Sequence, residues 1–171
     1  MSGPVVRAAV VADIAEVVRL ERAAPEAPHW TDGEYAAVLV QARGEEPGGE
    51  HFQDTMLRRC FFVAEFEGRV VGFAVGKVVG IALTSVAELE SVAVDPASRR
   101  MGVGRALCRA VVAWSAGMGA RDMELDVRGG SAGAIALYRG LGFVVIGHRA
   151  GYYHHPEDEA LLMRLDLAGD V

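Results

Sequence analysis

An α/β (α+β) fold with a mixed, mostly antiparallel central sheet of about seven strands flanked by helices is predicted by three features of this 171-residue sequence. Seven strand-like and four helix-like segments follow in the order β-α-α-β-β-β-α-β-α-β-β. Three of the strands come consecutively and the first two are joined by a tight Glu67-Gly68 turn, which implies antiparallel pairing. The stretch Glu88 to Leu107 then reads as strand, anion-binding turn and helix.

The elements can be justified in order. Val5 to Ala9 is a short apolar run suited to a first strand, and Asp13 begins an amphipathic helix carrying Ile14, Val17, Val18 and Leu20 that ends before Pro25. Pro25 and Pro28 break the chain. Thr31 is then an N-cap with Glu34 as its capping-box partner, and a second helix runs to about Arg43. Gly44 to Glu50 has the composition of an acidic loop, and residues 51 to 59 suggest a helical turn or two. Cys60–Phe66, Arg69–Val79 and Val86–Val94 are strands rich in β-branched and aromatic residues. A helix from Gly102 to about Met118 ends at Gly117 and Gly119, and Met123 to Val127 alternates as the next strand. Gly129-Gly130 leads to Ser131, an N-cap for the helix Ala132 to Leu141, which Gly142 stops. Val144 to Arg149 and Ala160 to Asp166 complete the sheet, joined by the polar and aromatic segment Gly151 to Glu159.

Composition bounds the function. The length suits one domain, residues 1–171, and 51% hydrophobic with 23% charged residues is a globular balance. No apolar segment approaches the roughly 20 residues that span a bilayer, and Asp13 and Glu16 interrupt the N-terminal apolar run, so neither membrane nor secretion is expected and a cytoplasmic location is. The net charge of −6, with nothing more clustered than an adjacent pair such as Arg99-Arg100, argues against nucleic acid and suits a cationic substrate. Cys60 and Cys108 lack metal-ligand spacing and read as buried thiols. His154 and His155 are adjacent, point to opposite faces of any strand and have no third ligand, so no metal is expected. Composition leaves monomer and homodimer open.

The turn after the third central strand has a definite chemistry. Arg99 and Arg100 bring positive charge, while Gly102 and Gly104 let a phosphate approach backbone N–H groups at a helix N-terminus. Leu107 stands where a dinucleotide fingerprint needs its third glycine, and the Gly-Lys-Ser/Thr of a P-loop is absent. What remains, Arg99-x-x-Gly102-x-Gly104 behind Val92-x-Val94-Asp95-Pro96, resembles the acetyl-CoA pyrophosphate loop of the GNAT superfamily of N-acetyltransferases. Trp30-Thr31-Asp32-x-x-Tyr35, Leu125-Asp126-Val127-Arg128, Ala134-Ile135-Ala136-Leu137-Tyr138-x-x-Leu141-Gly142-Phe143 and Tyr152-Tyr153 are similar to the bacterial ribosomal-protein-alanine N-acetyltransferases. The resemblance spans nearly the whole chain and implies the GNAT fold. It departs at Asp126, where that family has Glu, at Ser131, where it has Asn, and at an apparent insertion from Gly44 to Gln53.

By that resemblance the cosubstrate is acetyl-CoA, held by the backbone of Val92, Ala93 and Val94, by the turn Arg99, Arg100, Met101, Gly102, Val103, Gly104 and Arg105, and by Ser131. Acetyl transfer to an amine needs a base for the aminium, a donor to the carbonyl oxygen and a proton for the departing thiolate. Glu88, Glu90 and Asp126 are the candidate bases. Alternation puts Glu88 and Glu90 on the face of Val92 and Val94 unless a bulge intervenes and does not choose among the three; the resemblance favours Asp126. The resemblance also implies a backbone N–H from Val92 to Val94 at the carbonyl, Tyr138 as the acid, and Trp30, Tyr35, Tyr152 and Tyr153 along the acceptor groove. Deprotonating an α-amine at pH 7 costs roughly 1 kcal/mol against about 4.6 kcal/mol for lysine, which favours a protein N-terminus as acceptor; the resemblance implies a protein such as a ribosomal protein. A small amine or a lysine side chain is the alternative acceptor, and a non-catalytic CoA-binding sensor the alternative class.

Overall fold

The computed structural model describes residues 3–24, 27–44, 56–80 and 84–169. Seven strands form one sheet in the order β1-β2-β3-β4-β5-β7-β6, the mixed arrangement expected. They are β1 (Val5–Ala8), β2 (Met56–Phe66), β3 (Arg69–Gly80), β4 (Val86–Val94), β5 (Asp122–Arg128), β6 (Val144–His154) and β7 (Glu157–Asp166). All neighbouring pairs are antiparallel except β4–β5. Among the described residues the α-helices are α1 (Ile14–Arg22), α2 (Asp32–Arg43), α3 (Val103–Gly117) and α4 (Ala132–Gly140). Among the described residues, no helix is long and apolar enough to cross a membrane.

A cluster of buried apolar residues lies on each face of the sheet. Val17, Val18 and Leu20 of α1 with Tyr35, Val38 and Leu39 of α2 cover Phe61, Val63, Phe73, Val75 and Ala93. On the other face Val103, Leu107, Cys108 and Val111 of α3 meet Ala74, Val78, Ala87, Leu89, Met123 and Leu125, with α4 residues packed at the margin. Strand alternation produces this division, since successive side chains leave a sheet on opposite faces. Gly76 lets α3 come close: a Cβ there would lie 2.4 Å from Val111 Cγ1. Burial pushes both the Cys60 and Cys108 thiols up to about 12.

Three local expectations change. Arg58 and Arg59, expected in a helical turn, belong to β2, because Met56 to Cys60 pairs in register with Gly80 to Gly76 of β3. The segment Gly151 to Glu159, expected as a connection, is mostly paired: β6 runs to His154 and β7 starts at Glu157, with Tyr153 opposite Asp158. Ser131 precedes α4 but its side chain makes no capping bond. Thr31 and Glu34 do form the capping box, and α2 ends at Gly44 in the left-handed conformation, φ 68°. The rest of the acidic loop and insertion, residues 45–55, lies outside the described residues, as do residues 25–26 with the Pro25 break.

Candidate active site

The site begins where the sheet parts. β4 and β5 pair only from Val86↔Asp122 to Glu88↔Glu124. Beyond that point β4 stays with β3 as far as Val94, and β5 stays with β7 as far as Arg128. Helices α3 and α4 each follow one of the two parallel strands, so both begin at the open end of the split.

At the entry to α3, Asp95 Oδ1 accepts from the Ala97 N–H at 2.9 Å and ends β4 in a short 3-10 turn, Pro96–Ser98. Arg100 (φ 66°) and Gly102 (φ 80°) then take the left-handed conformation, and no side chain caps α3. A 15-residue helix therefore presents its first-turn N–H groups, and the positive end of its dipole, without a side-chain acceptor of its own. Arg99, Arg100, Met101 and Gly102 are exposed around it. Arg105 donates to Gly140 O at 3.1 Å, which ties α3 to the end of α4. The Val103 side chain is buried in the core and Ala93 faces the opposite cluster, so these two offer backbone alone. Gly104 is a packing position: a Cβ would lie 3.3 Å from Leu137 Cδ2 and 3.6 Å from Val94 Cγ2. Tyr138, next to Leu137 on α4, is half-buried with its ring centroid 5.9 Å from Phe143. The Ser131 hydroxyl is buried with no hydrogen-bond partner among the described residues, an acceptor and donor that a polar ligand group could satisfy.

On the face carrying α1 and α2, a cleft of about 340 Å³ is lined by Lys77, Glu88, Glu124, Asp126 and Arg149 among others. A β-bulge decides which carboxylates reach it. Val75 pairs with Ser91 but Gly76 pairs with Leu89, so Glu90 is the extra residue. The parity of β4 flips there. Ala87 and Leu89 share the α3 face with Val92 and Val94, whereas Glu88 and Glu90 point to the other. Unbroken alternation would have put both carboxylates on the Val92 and Val94 face, and the bulge overturns that.

The three candidate bases are then distinguishable. The Glu90 side chain is 8% exposed, with both oxygens bonded by Arg59 at 2.8 and 3.1 Å and Lys77 Nζ 3.4 Å away, so it is the centre of an ion cluster and not a cleft base. Glu88 is bound to Lys77 Nζ at 2.9 Å. Asp126 has one ion-pair partner among the described residues, Arg149 Nε at 3.5 Å. Burial raises the Asp126 carboxyl above its ordinary value; Arg149 opposes the rise, and Glu88 and Glu124 add to it. Glu124 is engaged by Arg164.

The aromatic residues separate in the same way. Tyr35 is wholly buried, its hydroxyl donating to Glu21 Oε1 at 2.8 Å and its ring against Trp30, Phe61 and Phe73, so it is a core residue and not a groove wall. Burial first, and Glu21 second, push its phenol up. The same Glu21 oxygen accepts the Trp30 backbone N–H at 2.8 Å, which fixes the half-buried Trp30 beside α2. Tyr152 and Tyr153 stack edge to face 5.1 Å apart near the end of β6. Arg149 lies 5.6 Å from the Tyr152 ring and Arg128 4.2 Å from the Tyr153 ring, while Arg128 Nη1 donates to Pro156 O at 2.6 Å. The residues that sequence reasoning missed are thus the cations Lys77, Arg59, Arg128 and Arg149, and Glu21. Two of them carried a signal: Arg128 stands in the Leu125-Asp126-Val127-Arg128 match, and Lys77 is the single lysine among 17 Lys and Arg.

The model of the acetyltransferase (GNAT) family matches residues 20–143. The [ribosomal protein bS18]-alanine N-acetyltransferase of Escherichia coli K12 is 36% identical over 99 residues, 54% of this chain and 67% of that protein. The crystal structure of the ribosomal-protein-S18-alanine N-acetyltransferase from Escherichia coli superposes with a TM-score of 0.72 at 26% identity, covering 98% of this chain and 96% of that one. A phosphinothricin acetyltransferase from Sinorhizobium meliloti, solved in complex with AcCoA, shares the fold with a TM-score of 0.75 at 22% identity, covering 96% and 89%.

Proposed function

The chain belongs to the acetyltransferase (GNAT) family and is an N-acetyltransferase, and we propose that it moves an acetyl group from acetyl-CoA directly to the free N-terminal α-amine of a protein, such as a ribosomal protein. The observation that carries this reading is the parting of β4 from β5 between an uncapped helix N-terminus and a cleft holding a carboxylate of raised basicity. Similarity to the bS18-alanine enzyme supports the choice of acceptor.

The residues present fit a pyrophosphate-bearing thioester. The first turn of α3 would take the phosphates, with Gly102 supplying the left-handed entry and Arg99 and Arg100 the charge. The buried Ser131 hydroxyl would meet the ligand's amide arm. When bound, acetyl-CoA supplies the acetyl group in activated form. The remaining steps belong to the chain. Asp126 accepts a proton from the acceptor's ammonium, a task that its raised pKa favours and that an α-amine keeps small, about 1 kcal/mol at pH 7. A backbone N–H between Val92 and Val94, on the strand edge that β5 leaves, polarises the carbonyl oxygen. Tyr138 gives its phenolic proton to the departing sulfur as the N–C bond forms and the C–S bond breaks. Trp30 and the Tyr152-Tyr153 pair border the acceptor's path.

The test is a competition among peptides with free N-termini, the same peptides blocked at the N-terminus but containing lysine, and small amines, scored by mass shift and thiol release. Acetylation of the α-amine alone is expected. Modification of lysine or small amines alone would overturn the acceptor, and tight CoA binding without thiol release would overturn the catalytic reading.

A further inference from the structure

Resting on the reading of the cleft as the acceptor site, we propose that Lys77 is a specificity-determining residue that admits acceptors with one positive charge at the reacting amine and turns away polyamines. It is the chain's single lysine; the other cations of the 17 Lys and Arg are arginines. It stands on β3 in the cleft lining, with its side chain 24% exposed. Its ammonium sits between two carboxylates, 2.9 Å from Glu88 and 3.4 Å from Glu90. That is where the distal ammonium of a diamine would settle while its near amine faced Asp126. The bulge makes this arrangement necessary, because it turns Glu88 and Glu90 to the cleft face and leaves one charge more than Arg59 can offset.

With Lys77 in place the local charges match one to one: Glu88 and Glu90 with Lys77 and Arg59, Asp126 with Arg149, Glu124 with Arg164. Among the described residues, an incoming α-ammonium has one loosely held partner, Asp126, and a second cation has none. Burial works against the Lys77 charge, but the bonds to Glu88 and Glu90 outweigh it and hold the ammonium protonated. A compact ammonium with three donors suits a seat between two carboxylates on a short reach.

The experiment compares kcat/KM for a free-N-terminus peptide with neutral side chains against that for spermidine, in the wild type, Lys77→Met, Lys77→Arg and Glu88→Gln. Lys77→Met should raise the spermidine-to-peptide ratio by about tenfold, equivalent to ~1.4 kcal/mol, and Lys77→Arg should hold it near the wild-type value. The gain should shrink in high salt, as screened attraction does and lost packing does not. Glu88→Gln should shift the ratio the opposite way, since it leaves Lys77 with Glu90 alone; any loss of turnover common to both amines cancels in the ratio. A folded Lys77→Met protein with an unchanged ratio overturns the proposal. Should Lys77→Met not fold, a Glu88→Gln ratio at or above the wild type overturns it. Wild-type turnover on either amine tests the cleft reading separately.

Discussion

Replacing Gly102 by alanine isolates the conformational contribution of the anion turn. A Cβ at this position meets no heavy atom within 4 Å, so there is no steric clash to relieve. The cost comes from the backbone, held at φ 80°. A left-handed L-residue costs roughly 1–2 kcal/mol, and the stiffer unfolded chain returns about 0.5 kcal/mol, leaving a net of about 1 kcal/mol. This cost must surface in one of two places. If free protein keeps the left-handed turn, stability drops and Tm falls by about 2–4 °C for a chain of this size. If the free turn relaxes, Tm holds and the ligand must restore the geometry, weakening acetyl-CoA binding roughly fivefold. Thermal denaturation without ligand and titration calorimetry with acetyl-CoA measure the two shares. Their sum should be about 1 kcal/mol. Gly104→Ala is the contrasting variant, because its Cβ presses on Leu137 and leaves the turn intact; turnover through neighbouring Tyr138 should change more than affinity. A Gly102→Ala protein with both Tm and affinity at wild-type values would refute the reasoning.

Tyr138→Phe should lower kcat by about 10²–10⁴ while acetyl-CoA affinity holds; a normal rate would reduce the phenol to packing. Asp126→Asn should lower kcat over a similar range of about 10²–10⁴, and the acid limb of the wild-type kcat/KM profile should lie above the ordinary carboxylate range. Because the folded pKa of Asp126 is raised, its ionisation favours the unfolded chain as pH rises, so this variant should keep or gain Tm at neutral pH. Asp13 behaves oppositely: its bonds from Arg7 at 2.8 and 2.9 Å, which outweigh burial, and from the Val10 N–H lower its pKa. With Arg7 one-third exposed, Asp13→Asn should cost about 2 kcal/mol at pH 7, and urea titrations should show the difference vanish as pH falls through the folded pKa of Asp13.

The order of strands and helices, the capped start of α2 and the glycine turn into α3 were legible in the sequence, because each rests on residues close together in the chain. Alternation, a Thr31–Glu34 box and two glycines behind two arginines need no distant partner to be recognised. The charge arrangement of the cleft was not legible. Whether Glu88 and Glu90 share a face with Val92 depends on the pairing of β4 with β3, where one extra residue reverses the parity. Tyr35 read as a groove aromatic until Glu21, Phe61 and Phe73 closed around it from α1, β2 and β3. Arg58 and Arg59 looked helical by local pattern and became strand because β3 offered a continuous ladder. Local chemistry alone pointed to a phosphate-bearing ligand at Gly102 and set Asp126 among three possible bases. Only the tertiary structure decided that Arg59 and Lys77 occupy Glu90, that Lys77 holds Glu88, and that Asp126 keeps a looser partner. The reason is that ion pairing and desolvation are set by neighbours in space, and here those neighbours come from five different strands.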